Sequence, residues 1–296
     1  MQAQLPTFLT KPLSVSGVLP LGLGCSRLGS INGASEDESI RLLSTALDGG
    51  IRFFDTSNIY GQGDSERVLG KVLGRRTDCL ICSKAGKHLS LSSRLMLPFK
   101  QLLRSTVRHS SQASRGVASA RSKPMPTCWD GAYLIESLDA SLHRLNRDHI
   151  EIFMLHSPPA EVILRGDAIE ALDRARLAGK VGLIGVSVDD VETAVAALKD
   201  SRIQALQIPL HPEDNRYNKV IADAACMGVA VIAREIFGGA ASISQRPDAV
   251  DFAYQRVINL AKSPDILVPL VGTIKKNHLL HSMDAAKSVL HSAKVM

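Results

Sequence analysis

The stretch IEIFMLHSPPAEVILRGDAIEALDRARLAGKVGLIGVS, residues 150–187, holds a complete structural unit. It opens on an apolar run, 150–156, and closes on another, 181–187. Both runs are apolar on alternate and intervening positions alike, the pattern of a parallel strand covered on two faces. The residues between them, 162–180, repeat their apolar positions at helical spacing and read as one amphipathic helix. Strand, helix and strand in that order make a βα unit.

The same unit recurs along the chain. Further apolar runs lie at 18–24, 51–56, 79–84, 204–209, 229–235 and 265–273, which brings the total to eight. Helical patterns fill the gaps, among them 37–50, which ends in the glycines that suit a helix C-terminus. Most strand-to-strand intervals are roughly 23–35 residues, the size of one βα unit. Eight units in 296 residues predict an α/β fold, a (β/α)8 barrel forming a single domain over residues 1–296. A doubly wound sheet would need fewer strands and a phosphate-binding glycine fingerprint. GLGCSRLG, residues 22–29, is a poor match to that fingerprint because its third glycine is misplaced. It reads instead as the tight turn after the first strand.

One interval is oversized. Residues 85–130 follow the third strand directly and are rich in Ser, Ala and Arg. From Ala85 to Trp129 there are eight Lys and Arg and no Asp or Glu. The net charge of +6 therefore leaves 6 − 8 = −2 for the rest of the chain, so the basicity belongs to an insert and not to a structured face. That argues against a nucleic-acid-binding protein. A short helix is predicted over 92–103, and the insert is expected either to lie over the barrel mouth as a lid or to remain a solvated loop. The composition, 45% apolar and 22% charged, is that of a soluble globular protein. No apolar run is long enough to cross a bilayer, and residues 1–17 lack a charged head before an apolar stretch, so a cytoplasmic location is expected. The five scattered cysteines suit a reducing compartment. Cys79 and Cys82 have metal-like spacing, but three residues apart on a strand they point to opposite faces and are expected to be plain core residues.

Barrel active sites form where the strands end. The predicted strands end in, or carry near their ends, Asp55, Lys84, His156, Ser187, Gln207, Arg234 with Glu235, and Gly272 with Thr273. Tyr60 follows Asp55 by five residues, ahead of a glycine-rich turn. Singly, each has a structural explanation: a cap, a snorkelling lysine, a satisfied core histidine. Together they make a proton donor. A tyrosine of ordinary pKa near 10 is a weak acid at neutral pH, and an ammonium beside it favours the phenolate. Lys84 can supply that ammonium, Asp55 can hold Lys84, and His156 can bind a substrate oxygen. Such a set suits carbonyl reduction or the reverse alcohol oxidation and lacks only a hydride source.

These residues sit in motifs that resemble the aldo-keto reductases. The motifs are GGIRFFDTSNIYGQGDSERVLGKVLG, CLICSK, ASLHRLNRDHIEIFMLHSPP, GLIGVS and VPLVGTIKKNHL, and the resemblance runs from about residue 17 to 290 apart from the insert. It implies that Asp55, Tyr60, Lys84 and His156 form the family's catalytic tetrad, with Tyr60 as general acid/base. It also implies NADPH, or NADH, bound across the barrel mouth, with Ser187 and Gln207 on the nicotinamide carboxamide. Phe237 and Gly238 in the loop FGGA would approach the pyrophosphate, and Thr273, Lys275 and His278 would meet the adenosine phosphate. Gly24, Cys25, Arg234 and Gly272 complete the implied cofactor set. Lys275 and Lys276 at a helix start make NADPH the favoured form. The chain departs from the pattern at Val188, Arg234, His281 and Ser282. The implied substrate is a small carbonyl compound or sugar, and the expected state a monomer or weak homodimer. A second reading, an NADP(H)-binding redox sensor acting through a partner, has less need of an intact tetrad.

Overall fold

A strand buried on both faces must lie between two apolar layers, and eight of them in parallel satisfy one another by closing. The computed structural model describes residues 17–89 and 125–293. Its strands are β1 Gly22–Gly24, β2 Phe53–Asp55, β3 Leu80–Ala85, β4 Ile150–His156, β5 Val181–Ser187, β6 Ala205–Pro209, β7 Ala230–Arg234 and β8 Val268–Val271. All neighbours pair in parallel and β8 returns to β1, so the sheet is a closed barrel in sequence order. The (β/α)8 expectation is met. The predicted helix and lid within the insert fall, but for its two ends, outside the described residues.

The outer ring comprises α1 Glu36–Asp48, α2 Asp64–Leu73, α3 Gly131–Leu145, α4 Ala160–Arg165, α5 Asp167–Leu177, α6 Val191–Leu198, α7 Asn218–Met227, α8 Ala240–Ser244, α9 Ala249–Ala261 and α10 Lys276–Ala293. Local chemistry sets several of the ends. Ser35 caps α1 and Glu38 reaches back to the Ser35 amide at 2.7 Å, a capping box. Asp130 caps α3, which stops at Asn146 in the left-handed region. The single helix expected over 162–180 is two helices, α4 and α5. Gly166 has φ +79°, which breaks the helical run as only glycine does cheaply. The first strand is also shorter than its apolar run, because Pro20 has no N–H to give a ladder.

Two apolar cores result. The inner one fills the barrel with Phe53, Leu80, Cys82, Ile152, Met154, Leu183, Ile232, Val268 and Leu270, with Ala205 and Ala230 where space narrows. The outer one, between strands and helices, includes Cys79. Cys79 and Cys82 therefore face opposite ways, and both cysteines are plain core residues. Gly185 must lack a side chain, since a Cβ there would stand 2.4 Å from the Ala205 carbonyl oxygen. Each large apolar residue so buried contributes about 1.5–3 kcal/mol. Among the described residues no helix is long and apolar enough to cross a membrane.

Candidate active site

Side chains alternate along a strand, so the inward set continues from Phe53 to Asp55, from Cys82 to Lys84, from Met154 to His156 and from Ala205 to Gln207. The top layer of the barrel interior is thus polar where the layers below are apolar. Ser187 lies opposite both His156 and Gln207 in the β4–β5 and β5–β6 registers. Asp55, Lys84, His156, Ser187 and Gln207 are all buried.

Burial without water demands that these groups satisfy one another. Lys84 Nζ donates to Asp55 Oδ1 at 2.6 Å and to the Thr56 carbonyl at 2.8 Å. Gln207 Nε2 donates to the same Asp55 oxygen at 2.7 Å, and Ser187 Oγ donates to Gln207 Oε1 at 2.9 Å. One chain of hydrogen bonds therefore runs from β5 through β6 to β2 and β3. Burial pulls the Lys84 ammonium toward neutrality, but the Asp55 carboxylate and Tyr60 outweigh it and hold Lys84 above its usual range. Lys84 remains charged.

Tyr60 is half-buried and its ring stands edge-on to His156, centroids 5.7 Å apart, with Lys84 Nζ 5.1 Å from the tyrosine ring centre. A left-handed turn aims it: Gly61, Gln62 and Gly63 all have positive φ. A Cβ at Gly61 would lie 2.6 Å from the Leu28 carbonyl oxygen, so glycine is required there. Burial pushes the Tyr60 phenol above its ordinary value; Lys84 pulls it down, as expected from the sequence, but does not win. In this structure Tyr60 is a protonated donor. Burial, then Lys84, Lys87 and Arg234, hold His156 well below its ordinary value, so its imidazole is neutral. His156 Nδ1 shares a 2.9 Å hydrogen bond with Ser57 Oγ. Tyr60 Oη and His156 Nε2 have no partner among the described residues, and neither atom is sealed from the mouth. Two adjacent, neutral, unspent polar groups at a barrel mouth can grip one oxygen atom of a ligand.

The remaining predicted positions divide in two. Gly24 and Gly272 come together, a Cβ on Gly24 lying 3.6 Å from Gly272 Cα. A Cβ on Gly272 would meet nothing within 4 Å, which leaves open space above β8. Thr273 Oγ1 accepts from the Lys275 amide at 3.0 Å just before α10, and Lys275 and His278 are exposed beside it. Phe237 packs against the outer core and Gly238, φ +74°, turns the chain into α8. Cys25 is not so presented: its thiol is fully buried and donates to the Leu23 carbonyl, its backbone N–H donates to the Asp55 carbonyl, and its carbonyl accepts from Leu28 N and Ser65 Oγ. Arg234 is turned aside. It donates to the Val188 carbonyl at 2.8 Å and forms ion pairs with Asp189 and Glu235. Ser282 and His281 are spent on the His278 and Val250 carbonyls.

Ser57 and Lys87 escaped the sequence reading. Ser57 sits in the polar run DTSN directly after a core strand, which is the signal that could have found it. Lys87 Nζ donates to Ser157 Oγ at 2.9 Å beside His156, and nothing in its local sequence marks that. The ends of the insert are pinned next to them. Lys87 pairs antiparallel with Thr127, and Trp129 lies on Gly86, where a Cβ would be 1.9 Å from its ring. Clefts of about 340 Å³ beside Arg256 and about 520 Å³ beside Arg147 contain none of the tetrad positions.

Residues 20–251 match the model of the aldo/keto reductase family. The chain belongs to the aldo/keto reductase family. It is an oxidoreductase. A 6-dehydroglucose reductase from Novosphingobium aromaticivorans is 27% identical, over 95% of this chain and 91% of that one. A D-threo-aldose 1-dehydrogenase from a Pseudomonas species is 24% identical, over 84% and 78%. Among solved structures, an aldo/keto reductase from Klebsiella pneumoniae in complex with NADP and acetate superposes with a TM-score of 0.67 at 18% identity, covering 91% of this chain and 86% of that one.

Proposed function

We propose that this aldo/keto reductase interconverts a carbonyl compound and its alcohol with NADPH, Tyr60 serving as general acid/base. The observation that carries the reading is the pair of unspent groups, Tyr60 Oη and His156 Nε2, set beside the Lys84–Asp55 ion pair. NADPH fits the residues present. Gly24 and Gly272 leave room at β1 and β8, and Lys275 and Lys276 put two positive charges at the start of α10. Ser187 and Gln207 each keep unused hydrogen-bonding capacity for an amide. NADPH also agrees with the NADP complex of the structural neighbour. Bound there, the cofactor supplies the hydride.

Every other part of the reaction falls to side chains. His156 binds the substrate oxygen through Nε2 and fixes its place; Ser57 Oγ, which shares a hydrogen bond with Nδ1, orients the ring. Tyr60 gives its proton to the same oxygen as negative charge builds on it. The phenolate left behind is stabilised by the Lys84 ammonium, which cannot follow the proton because Asp55 and the Thr56 carbonyl hold it. The raised Tyr60 pKa keeps the donor loaded, and Lys84 lowers the cost of unloading it. In the alcohol direction the phenolate takes the proton back. The sugar-acting names of two relatives make an aldose or a related hydroxy-carbonyl compound the first substrates to try. The test is loss of NADPH absorbance with a panel of aldehydes, ketones and aldoses. Turnover of at least one, with NADPH preferred over NADH, is expected. Absence of turnover across the panel, with no NADPH binding by calorimetry, would overturn the reading.

A further inference from the structure

Lys87 is an unusual lysine. It is half-buried, yet among the described residues no carboxylate lies within ion-pair distance of it. Its one side-chain bond among the described residues goes to a neutral hydroxyl, Ser157 Oγ. Asp189, the acid that acts on it electrostatically, is committed to an ion pair with Arg234. Burial pulls its ammonium below the ordinary lysine value; Asp189 opposes this, and Arg234 and Lys84 add to it. A partly desolvated cation with no direct ion pair is a cost that an anion would lower.

The backbone beneath it is fixed. The Lys87 carbonyl accepts from Asn58 Nδ2 at 3.2 Å and Tyr133 Oη at 3.3 Å, and its strand segment pairs with Thr127. The ammonium stands near enough to His156 to depress its pKa. It lies on the β3–β4 side of the mouth, four strands from the β7–β8 side where Lys275 and Lys276 sit. An anion held at Lys87 is therefore a different anion from one held at the start of α10.

We infer that Lys87 is a specificity-determining residue that binds a carboxylate carried by the substrate, at a distance from the carbonyl gripped by Tyr60 and His156. The inference rests on the proposed carbonyl chemistry for its substrate and adds the class: a carbonyl compound bearing an acidic group. Two of the three ammonium protons have no partner among the described residues and are available to that group.

The test compares 4-carboxybenzaldehyde with its neutral amide, 4-carbamoylbenzaldehyde, in the full-length protein. For the wild type, kcat/KM for the acid should exceed that for the amide by roughly tenfold or more, the worth of a charge-assisted hydrogen bond. Lys87→Gln should collapse that ratio to about one, Lys87→Arg should keep most of it, and Lys87→Glu should invert it. Trp129, the only tryptophan, lies against Gly86 and gives a second readout without cofactor or turnover. Its fluorescence should titrate with the acid at lower concentration than with the amide, and the difference should vanish in Lys87→Gln. A ratio near one in the wild type, or one unmoved in Lys87→Gln, would overturn the inference while leaving the oxidoreductase intact. A Lys87→Gln protein that instead loses NADPH affinity would assign the anion to the cofactor and overturn it as well. If neither aldehyde is reduced, the proposed reaction fails on these substrates, and the Trp129 titration alone decides on Lys87.

Discussion

Replacing Lys84 by methionine separates what the buried ion pair does for stability from what it does for chemistry. Asp55 Oδ1 receives two hydrogen bonds, 2.6 Å from Lys84 and 2.7 Å from Gln207, and the two charged side chains are 0% and 7% exposed. Lys84→Met removes the positive partner and strands a carboxylate with one neutral donor, Gln207. Breaking a buried pair from one side costs about 3–5 kcal/mol. At roughly 2–4 °C per kcal/mol for a chain of this class, the midpoint of thermal unfolding should fall by about 6–20 °C. Adding Asp55→Asn to Lys84→Met discharges the stranded carboxylate. An amide keeps an oxygen for Gln207, so at least about half of the loss should return. Catalysis should not return, because the phenolate of Tyr60 still lacks its ammonium. Urea titrations of the wild type, both single variants and the double variant close a thermodynamic cycle and yield the coupling directly. A Lys84→Met protein within about 1 kcal/mol of wild type, or a double variant no more stable than Lys84→Met, would refute the reasoning.

Two further outcomes follow from the buried groups. His156 is held below its ordinary value by burial and by Lys84, Lys87 and Arg234, so below that ordinary value the unfolded chain binds a proton the native protein refuses. Stability should fall as pH drops through the usual histidine range, and the slope should flatten by about one proton in His156→Gln. Cys25 and Cys82 are pushed up by burial, so the unfolded chain ionises first on the alkaline side and stability should fall again as pH rises past the ordinary thiol value; urea midpoints against pH report both limbs. Gly86→Ala combines φ +114° with a Cβ 1.9 Å from Trp129, so it should displace the indole, seen as a red-shifted emission, and cost about 1–3 kcal/mol.

The barrel was legible because its period is covalent. Residues 150–156 and 181–187 are strands at the same bounds in sequence and structure, and the ring closes in chain order. What failed did so locally. Residues 162–180 have helical periodicity throughout, and a single left-handed glycine, Gly166, divides them. At the site, strand ends alone located Asp55, Lys84, His156, Ser187 and Gln207, because alternation carries an inward core residue to an inward mouth residue two positions on. The hydrogen bonds among them were not legible. That Gln207 reaches Asp55, 152 residues away, depends on barrel closure. The sign of the Tyr60 shift was also hidden, since it sets burial against one ammonium and only the packing fixes the balance. Lys87 lay outside the strand-end rule altogether, in the first turn of an insert whose ends meet only in three dimensions.

The central claim is that Tyr60 delivers the proton. The most direct measurement is single-turnover oxidation of bound NADPH by a saturating carbonyl substrate, wild type against Tyr60→Phe, with NADPH affinity measured in parallel. Loss of a positioned general acid should slow the chemical step by about 10²–10⁴-fold while NADPH binding stays within about twofold of wild type. A Tyr60→Phe enzyme whose single-turnover rate remains within about threefold of wild type would contradict it.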